Sequence, residues 1–130
     1  MTWRKITSED YSLLCDWWTK RGWENIPITM LTSEGIMIVS EKGNPIFAGF
    51  LLIHGTDLVF LEWVVSNPNV EKEERSGGFD KLLEVAEILT KDRGGKYLMH
   101  MTNNQKLVEM FKSKNYTVTD ENCVHLIKQV

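Results

Sequence analysis

The sequence predicts an α/β fold in which a mixed, mostly antiparallel sheet is flanked by helices, and three observations carry that prediction. Apolar segments 35–40, 45–54 and 58–66 follow one another with only tight polar turns between them, the pattern of an antiparallel meander. Phe79, Leu82, Leu83, Ala86 and Leu89 then recur at helical spacing, opposite Glu84, Glu87 and Lys91. A further apolar segment, 96–102, lies beyond that helix, so its strand returns parallel to the one before through a crossover.

Taken in order, Trp3 to Ile6 reads as a short opening strand. Thr7 offers an N-cap oxygen and Asp10 stands three residues on, a capping box with Asp in place of Glu or Gln. Tyr11, Leu14 and Trp18 follow on one helical face, and Gly22 suits the stop. The stretch from Trp23 to Ser33, interrupted by Pro27, reads as a loop or a short second helix. The meander turns at Glu41-Lys42-Gly43-Asn44 and Gly55-Thr56-Asp57 and ends at Asn67-Pro68. Its last two strands are apolar on both faces, which predicts central positions covered by helices. A polar loop leads to the amphipathic helix, where Glu87 and Lys91 stand in the favourable order and Gly94-Gly95 is the stop. Asn103 or Asn104 can cap a last helix carrying Leu107, Val108, Met110 and Phe111. That helix stops at Asn115, a residue that tolerates the left-handed conformation of a C-terminal cap. Tyr116 to Thr119 and Cys123 to Lys128 are expected to form a closing hairpin.

The 130 residues fit one domain, 1–130, large enough for a core without metal or disulfide support. Fifteen basic and 18 acidic residues give a net charge of -3 with no like-charged block, which argues against a nucleic-acid partner. The longest apolar run, Ile46 to Ile53, is far short of the roughly 18 residues of a membrane helix, and the opening Met1 to Ile6 lacks a signal peptide's apolar stretch. Cys15 and Cys123 carry no neighbouring ligand pattern, so neither a metal nor a disulfide framework is expected, and a reducing, cytoplasmic setting fits. Strand edges permit a homodimer without demanding one.

The candidate site is the junction where segment 58–66 hands over to the amphipathic helix through Arg75-Ser76-Gly77-Gly78-Phe79. A helix start carries unpaired N–H groups and partial positive charge, glycines let an anion approach, and the arginine adds a fixed charge. The same residues also suit a merely tight connection.

This junction, set in this order of elements, resembles the GNAT superfamily of N-acetyltransferases over almost the whole chain. Arg75 and Gly78 match the first two places of the family's pattern of Arg or Gln, two residues, Gly, one residue, then Gly or Ala; Asp80 stands in the third. Asn104 through Tyr116 is similar to the family's helix with an aromatic seven residues on, here Phe111. The resemblance implies acetyl-CoA as cosubstrate and an amine as acceptor. The amides of Arg75, Ser76, Gly77, Gly78 and Phe79 would hold the pyrophosphate, and Trp63, Val64 and Val65 would pair with the pantetheine arm. The arm would enter where 58–66 splays from 96–102, with Asn104 and Phe111 beside the cofactor. The implied reaction is direct attack of the amine on the thioester, with a main-chain N–H near Val64-Val65 as oxyanion donor.

Glu62 is the candidate general base, an acid in an otherwise apolar strand, where burial raises a carboxyl's pKa. The alternative places it at an exposed edge or paired with a lysine. His100 reads as a core or edge histidine, His54 and His125 as turn and strand-surface residues, and Cys15 as inert. Trp18 continues the face of Tyr11 and Leu14, whereas Trp23 suits an acceptor pocket; Trp17 fits either role. Three departures from the family pattern keep a second function class open, a domain of this fold that binds CoA or a protein without turnover. They are Asp80, the acidic loop of Glu71, Glu73 and Glu74, and Phe111 where many members carry a tyrosine able to protonate the thiolate. Tyr116 could supply that proton, although its match is to a packing residue.

Overall fold

The computed structural model describes residues 1–130 in two units, Met1–His100 and Met101–Val130. In the first, strands β1 (Thr2–Lys5), β2 (Gly35–Val39), β3 (Pro45–Ile53), β4 (Leu58–Ser66) and β5 (Tyr97–Met99) form one sheet in chain order. The first three pairings are antiparallel and β4 with β5 is parallel, as the meander and crossover predict. The apolar strands β3 and β4 are interior in this order, consistent with their two-sided patterning.

Local sequence sets the helix boundaries. The Thr7 N–H donates to Asp10 Oδ2 at 2.8 Å, and the turn Ser8–Asp10 leads into α1 (Tyr11–Lys20). Gly22 closes that helix at φ 76. Between Trp23 and Ser33 the only regular element is a 3-10 turn, Ile28–Met30. The segment expected to be a polar loop instead contains a one-turn helix, α2 (Lys72–Arg75), followed by α3 (Gly78–Asp92). Four charged residues present no apolar period to detect, and the turn is stabilised by neighbours rather than by propensity.

Helices cover both faces of the sheet. On one, Leu14, Trp17 and Trp18 of α1 bury against Met37, Ala48, Phe50 and Val65. On the other, Phe79, Leu82, Leu83 and Ala86 bury the amphipathic face of α3, each contributing roughly 1.5–3 kcal/mol if fully buried, Ala86 less. A Cβ at Gly95 would stand 2.9 Å from Val59 Cγ2 on β4, so this glycine lets the end of α3 close on the sheet. No helix is long and apolar enough to cross a membrane.

The second unit contains α4 (Gln105–Lys112), capped by the Asn104 side chain, which accepts from the Leu107 N–H at 3.1 Å. Asn115 follows at φ 68, the left-handed stop that its identity predicts. The closing hairpin is not formed: 116–130 contains no strand. Val124, Leu126 and Ile127 are 78%, 91% and 88% exposed, so these apolar side chains bury nothing, and an isolated two-stranded hairpin has little stability of its own.

Candidate functional site

The β3–β4 ladder breaks once. Ala48 faces Val65 and Phe50 faces Glu62, so Gly49 on β3 is matched by both Trp63 and Val64 on β4. This is a β-bulge, and Trp63 sits in it at φ 52, a conformation costly for a bulky side chain, of order 1–3 kcal/mol. The Trp63 ring packs edge-on against Phe50 at 6.0 Å, which helps hold it there. On its other side, β4 pairs with β5 only at Leu58, Val59 and Phe60. Beyond Phe60 the pairing stops because β5 itself ends at Met99. The bulge therefore re-aims the backbone of Trp63, Val64 and Val65 along an edge that no fifth-strand backbone occupies.

The C-terminal end of β4 is fixed by two guanidinium groups. Arg75 Nη1 donates to Asn67 O at 2.7 Å and Val70 O at 2.9 Å. Arg21, at the end of α1, donates through Nη2 to Ser66 Oγ at 2.6 Å and Ser66 O at 3.3 Å. Burial, and then the like charge of Arg75, hold the Arg21 guanidinium below its ordinary pKa. Neither group is ion-paired to a carboxylate. Arg21 was not singled out from the sequence; only its distance in space from Arg75, which the chain order conceals, gives it a role.

The turn itself combines a packed and an open glycine. Gly77 is the N-cap of α3 at φ 82, and a Cβ there would meet only Met1 Cε, at 3.8 Å. Gly78 is buried, and a Cβ there would stand 2.5 Å from Phe47 Cδ2 and 2.9 Å from Ile46 Cδ1. Its glycine is thus required for packing on β3, whatever its amide binds. The N–H groups of Arg75 and Ser76 close α2 onto Glu71 O and Glu73 O at 3.2 and 3.3 Å. Those of Gly77 and Gly78 belong to the helix start, where no intrahelical acceptor exists. Of the acidic residues nearby, Glu74 turns away to Ser40 Oγ at 2.6 Å and Asn44 Nδ2 at 2.7 Å, which hold its carboxyl below the usual range. Glu71, Glu73 and Asp80 are exposed to solvent.

Glu62 is half-buried, with Oε1 out of contact with solvent. Its cross-strand partner Phe50 also lines a cavity of about 260 Å³ between the start of α1 and the 28–33 connection. His100, just past β5, places Nδ1 2.6 Å from Leu61 O, the carbonyl preceding Glu62. A carbonyl only accepts, so Nδ1 carries the proton and Nε2 is the basic nitrogen of the neutral ring. Burial holds this histidine below its ordinary pKa, against the opposing effect of the Leu61 bond. His100, expected within the strand 96–102 as a core or edge histidine, lies just past the strand's end, and its contact with Leu61 was not legible.

Of the remaining candidates, Trp17 and Trp18 are buried at 0% and 2% exposure, whereas Trp23 is 49% exposed. His54 packs edge-on against Phe60 at 5.7 Å, and His125 lies exposed outside any strand. In the second unit, Phe111 stacks edge-on with Tyr116 at 4.9 Å, so Tyr116 packs.

No protein-family model matches the sequence, and no curated protein matches it. Solved structures do. N-acetylglutamate synthase from Neisseria gonorrhoeae, complexed with coenzyme A and N-acetyl-glutamate, superposes with a TM-score of 0.70 at 16% identity over 87% of this chain. This chain spans only 27% of that synthase. A GNAT-family acetyltransferase from Streptococcus pneumoniae aligns at TM-score 0.69 and 17% identity, covering 99% of this chain and 97% of its own. The aminoglycoside 6'-N-acetyltransferase of Acinetobacter haemolyticus aligns at 0.65 and 18%, covering 100% and 99%. The fold is that of the GNAT acetyltransferases.

Proposed function

We propose that this chain, which has the GNAT acetyltransferase fold, is as a whole (1–130) an acyl-CoA-dependent N-acyltransferase that uses acetyl-CoA. The observation that carries the reading is the bulge at Trp63-Val64 on the edge of β4 that β5 leaves open. Strain held in a bulky residue and a strand edge without a partner both cost stability, and they occur together at one place. The solved neighbour that contains coenzyme A shares this fold, which supports the choice of cosubstrate.

The residues present fit such a group. The N–H groups of Gly77 and Gly78 supply donors and the positive end of α3 to a diphosphate, and Gly77 leaves its approach open. Arg75 and Arg21 add two positive charges at the end of β4, with Ser76 exposed beside them. Trp63, Val64 and Val65 offer main-chain groups to an extended amide-bearing arm, as a strand would. When bound, acetyl-CoA supplies the acyl group as a thioester.

Glu62 takes the proton of the attacking amine, directly or through a water, and the His100 bond to Leu61 O fixes the strand that presents it. In this reading a main-chain N–H in the Val64-Val65 segment donates to the developing oxyanion. Phe111 has no proton to donate. Acid catalysis of thiolate departure then falls to solvent or the ammonium formed by attack.

The test is backbone hydrogen exchange with and without CoA. Slowed exchange at Val64, Val65, Gly77 and Gly78 is expected. Protection confined to other segments would refute the assignment. Protection here without loss of thioester across a broad amine panel would instead favour a CoA-binding module, the reading that Phe111 supports.

A further inference from the structure

We propose that Glu74 is a positioning residue of the candidate diphosphate turn: through Ser40 and Asn44 it anchors Arg75-Ser76-Gly77-Gly78 to the β2–β3 hairpin. The proposal rests on the acyl-transfer reading for what the turn binds, whereas the anchoring is a property of the ligand-free protein.

The turn has little to hold it from within. α2 is one turn of four charged residues, none of them buried, and so short a helix has no stability of its own. What its side chains reach therefore sets its place. Ser40 Oγ donates to Glu74 Oε1 at 2.6 Å, and Asn44 Nδ2 donates to the same oxygen at 2.7 Å. Both donors belong to one closed turn. Ser40 is buried, its N–H donates to Asn44 O at 2.8 Å, and its Oγ accepts from the Asn44 N–H at 3.2 Å.

The residues after Asn44 hold the rest of the junction. Pro45 O accepts from Asn67 Nδ2 at 2.7 Å, and Ile46 O accepts from the Asn67 N–H at 2.9 Å. Asn67 O in turn receives Arg75 Nη1 at 2.7 Å. Ile46 and Phe47 fill the space over Gly78, where a Cβ would stand 2.9 and 2.5 Å from them. Segment 44–47 thus grips both ends of the turn, and Glu74 is its hold on the α2 side. Only Ser76 and Gly77 separate Arg75 from Gly78, so fixing α2 fixes where the Gly77 amide points. Without the anchor, the glycine at 77 regains its wide backbone freedom.

Charge separates this role from simple electrostatics. A carboxylate near a diphosphate repels it, so removing the charge alone tightens anion binding. Anchoring predicts the reverse. Glu74→Gln and Glu74→Ala lose the same charge, but only Gln keeps an oxygen that accepts from both donors.

The experiment compares wild type, Glu74→Gln, Glu74→Ala and Asn44→Asp, the last setting a second carboxylate against Glu74 from an exposed position. Acetyl-CoA binding is measured by calorimetry, and backbone amide relaxation is measured without ligand. Glu74→Ala and Asn44→Asp are expected to raise the acetyl-CoA Kd about fivefold, as ordering of the turn becomes a cost of binding. Their order parameters at Ser76 and Gly77 should fall from roughly 0.85, the value of rigid backbone, toward about 0.6. Glu74→Gln should restore wild-type behaviour in both measurements. Tighter or unchanged binding by Glu74→Ala, or an equal loss in Glu74→Gln, would overturn the inference while leaving acyl transfer intact. A wild type that binds no acetyl-CoA would remove the acyl-transfer reading. The order parameters then decide the anchoring alone, a fall upholding it and no change overturning it.

Discussion

Phe50 and Glu62 face each other across the β3–β4 ladder, immediately before β4 bulges at Trp63. Glu62 is the only charged residue of β4, and it stands where the pairing with β5 has ended.

Glu62→Gln keeps the shape of that side chain and removes its basicity. We expect kcat to fall by roughly 10²–10⁴-fold, the range for loss of a general base, with acetyl-CoA affinity and melting temperature retained. Steady-state thiol release across pH 6–9 checks this. An unchanged pH profile would remove Glu62 from the chemistry.

The two glycines of the turn should respond differently to alanine. Gly78→Ala drives a Cβ to 2.5 Å from Phe47 Cδ2, so it should cost about 1–3 kcal/mol by overpacking. Gly77→Ala meets open space but holds φ 82, and should cost about 1–2 kcal/mol through backbone strain alone. Urea unfolding measures both. A structure of Gly78→Ala should show Phe47 displaced, and one of Gly77→Ala should not.

Arg21 and Arg75 should act together on an anionic ligand. Arg21→Gln is expected to weaken acetyl-CoA binding about fivefold to tenfold, an effect that shrinks as salt rises and screening shortens the reach of the charge. Titrations at 50 and 500 mM salt give the comparison. Equal Kd values for the wild type and the variant at low salt would confine Arg21 to holding Ser66.

Stability should fall on acidification in two steps. The His100 pKa is depressed by burial, so the unfolded chain takes up a proton before the folded one does. Its stabilisation is complete above the unfolded value of about 6.5 and declines as pH falls toward the lower folded value. Asp10 is depressed first by its Arg4 hydrogen bond, so its contribution persists to lower pH and is lost as pH falls through its folded value, below the usual carboxylate range. Urea unfolding at pH 7.5, 5.5 and 2.5 should show both, with His100→Asn removing the first and preserving a donor to Leu61 O.

Local signals were legible in the sequence, and pairwise ones were not. Thr7 and Asp10 find each other within one turn, and Asn115 needs only its own tolerance for positive φ, so both were readable. The α3 stripe and the meander were readable because each repeats its period several times. The bulge was hidden, because Trp63 leaves the ladder only relative to Gly49 on another strand. Arg21 and Arg75 lie 54 positions apart in the chain and meet only at the end of β4. Cys123 to Lys128 is mostly apolar, as a strand can be, yet composition does not say whether an edge is available to pair with, and here no strand forms. Gly78 was read for its openness to a ligand, whereas the space its missing Cβ leaves is filled by Phe47.

The most direct measurement is thermal unfolding with and without acetyl-CoA. At a concentration a hundred times its Kd, a ligand specific to the folded state adds about 2.7 kcal/mol, visible as a rise in Tm. The expected result is that rise, abolished in Arg75→Glu, a variant whose own melting temperature serves as its baseline. No rise at millimolar acetyl-CoA would contradict the proposed site at the start of α3 and leave the fold alone standing.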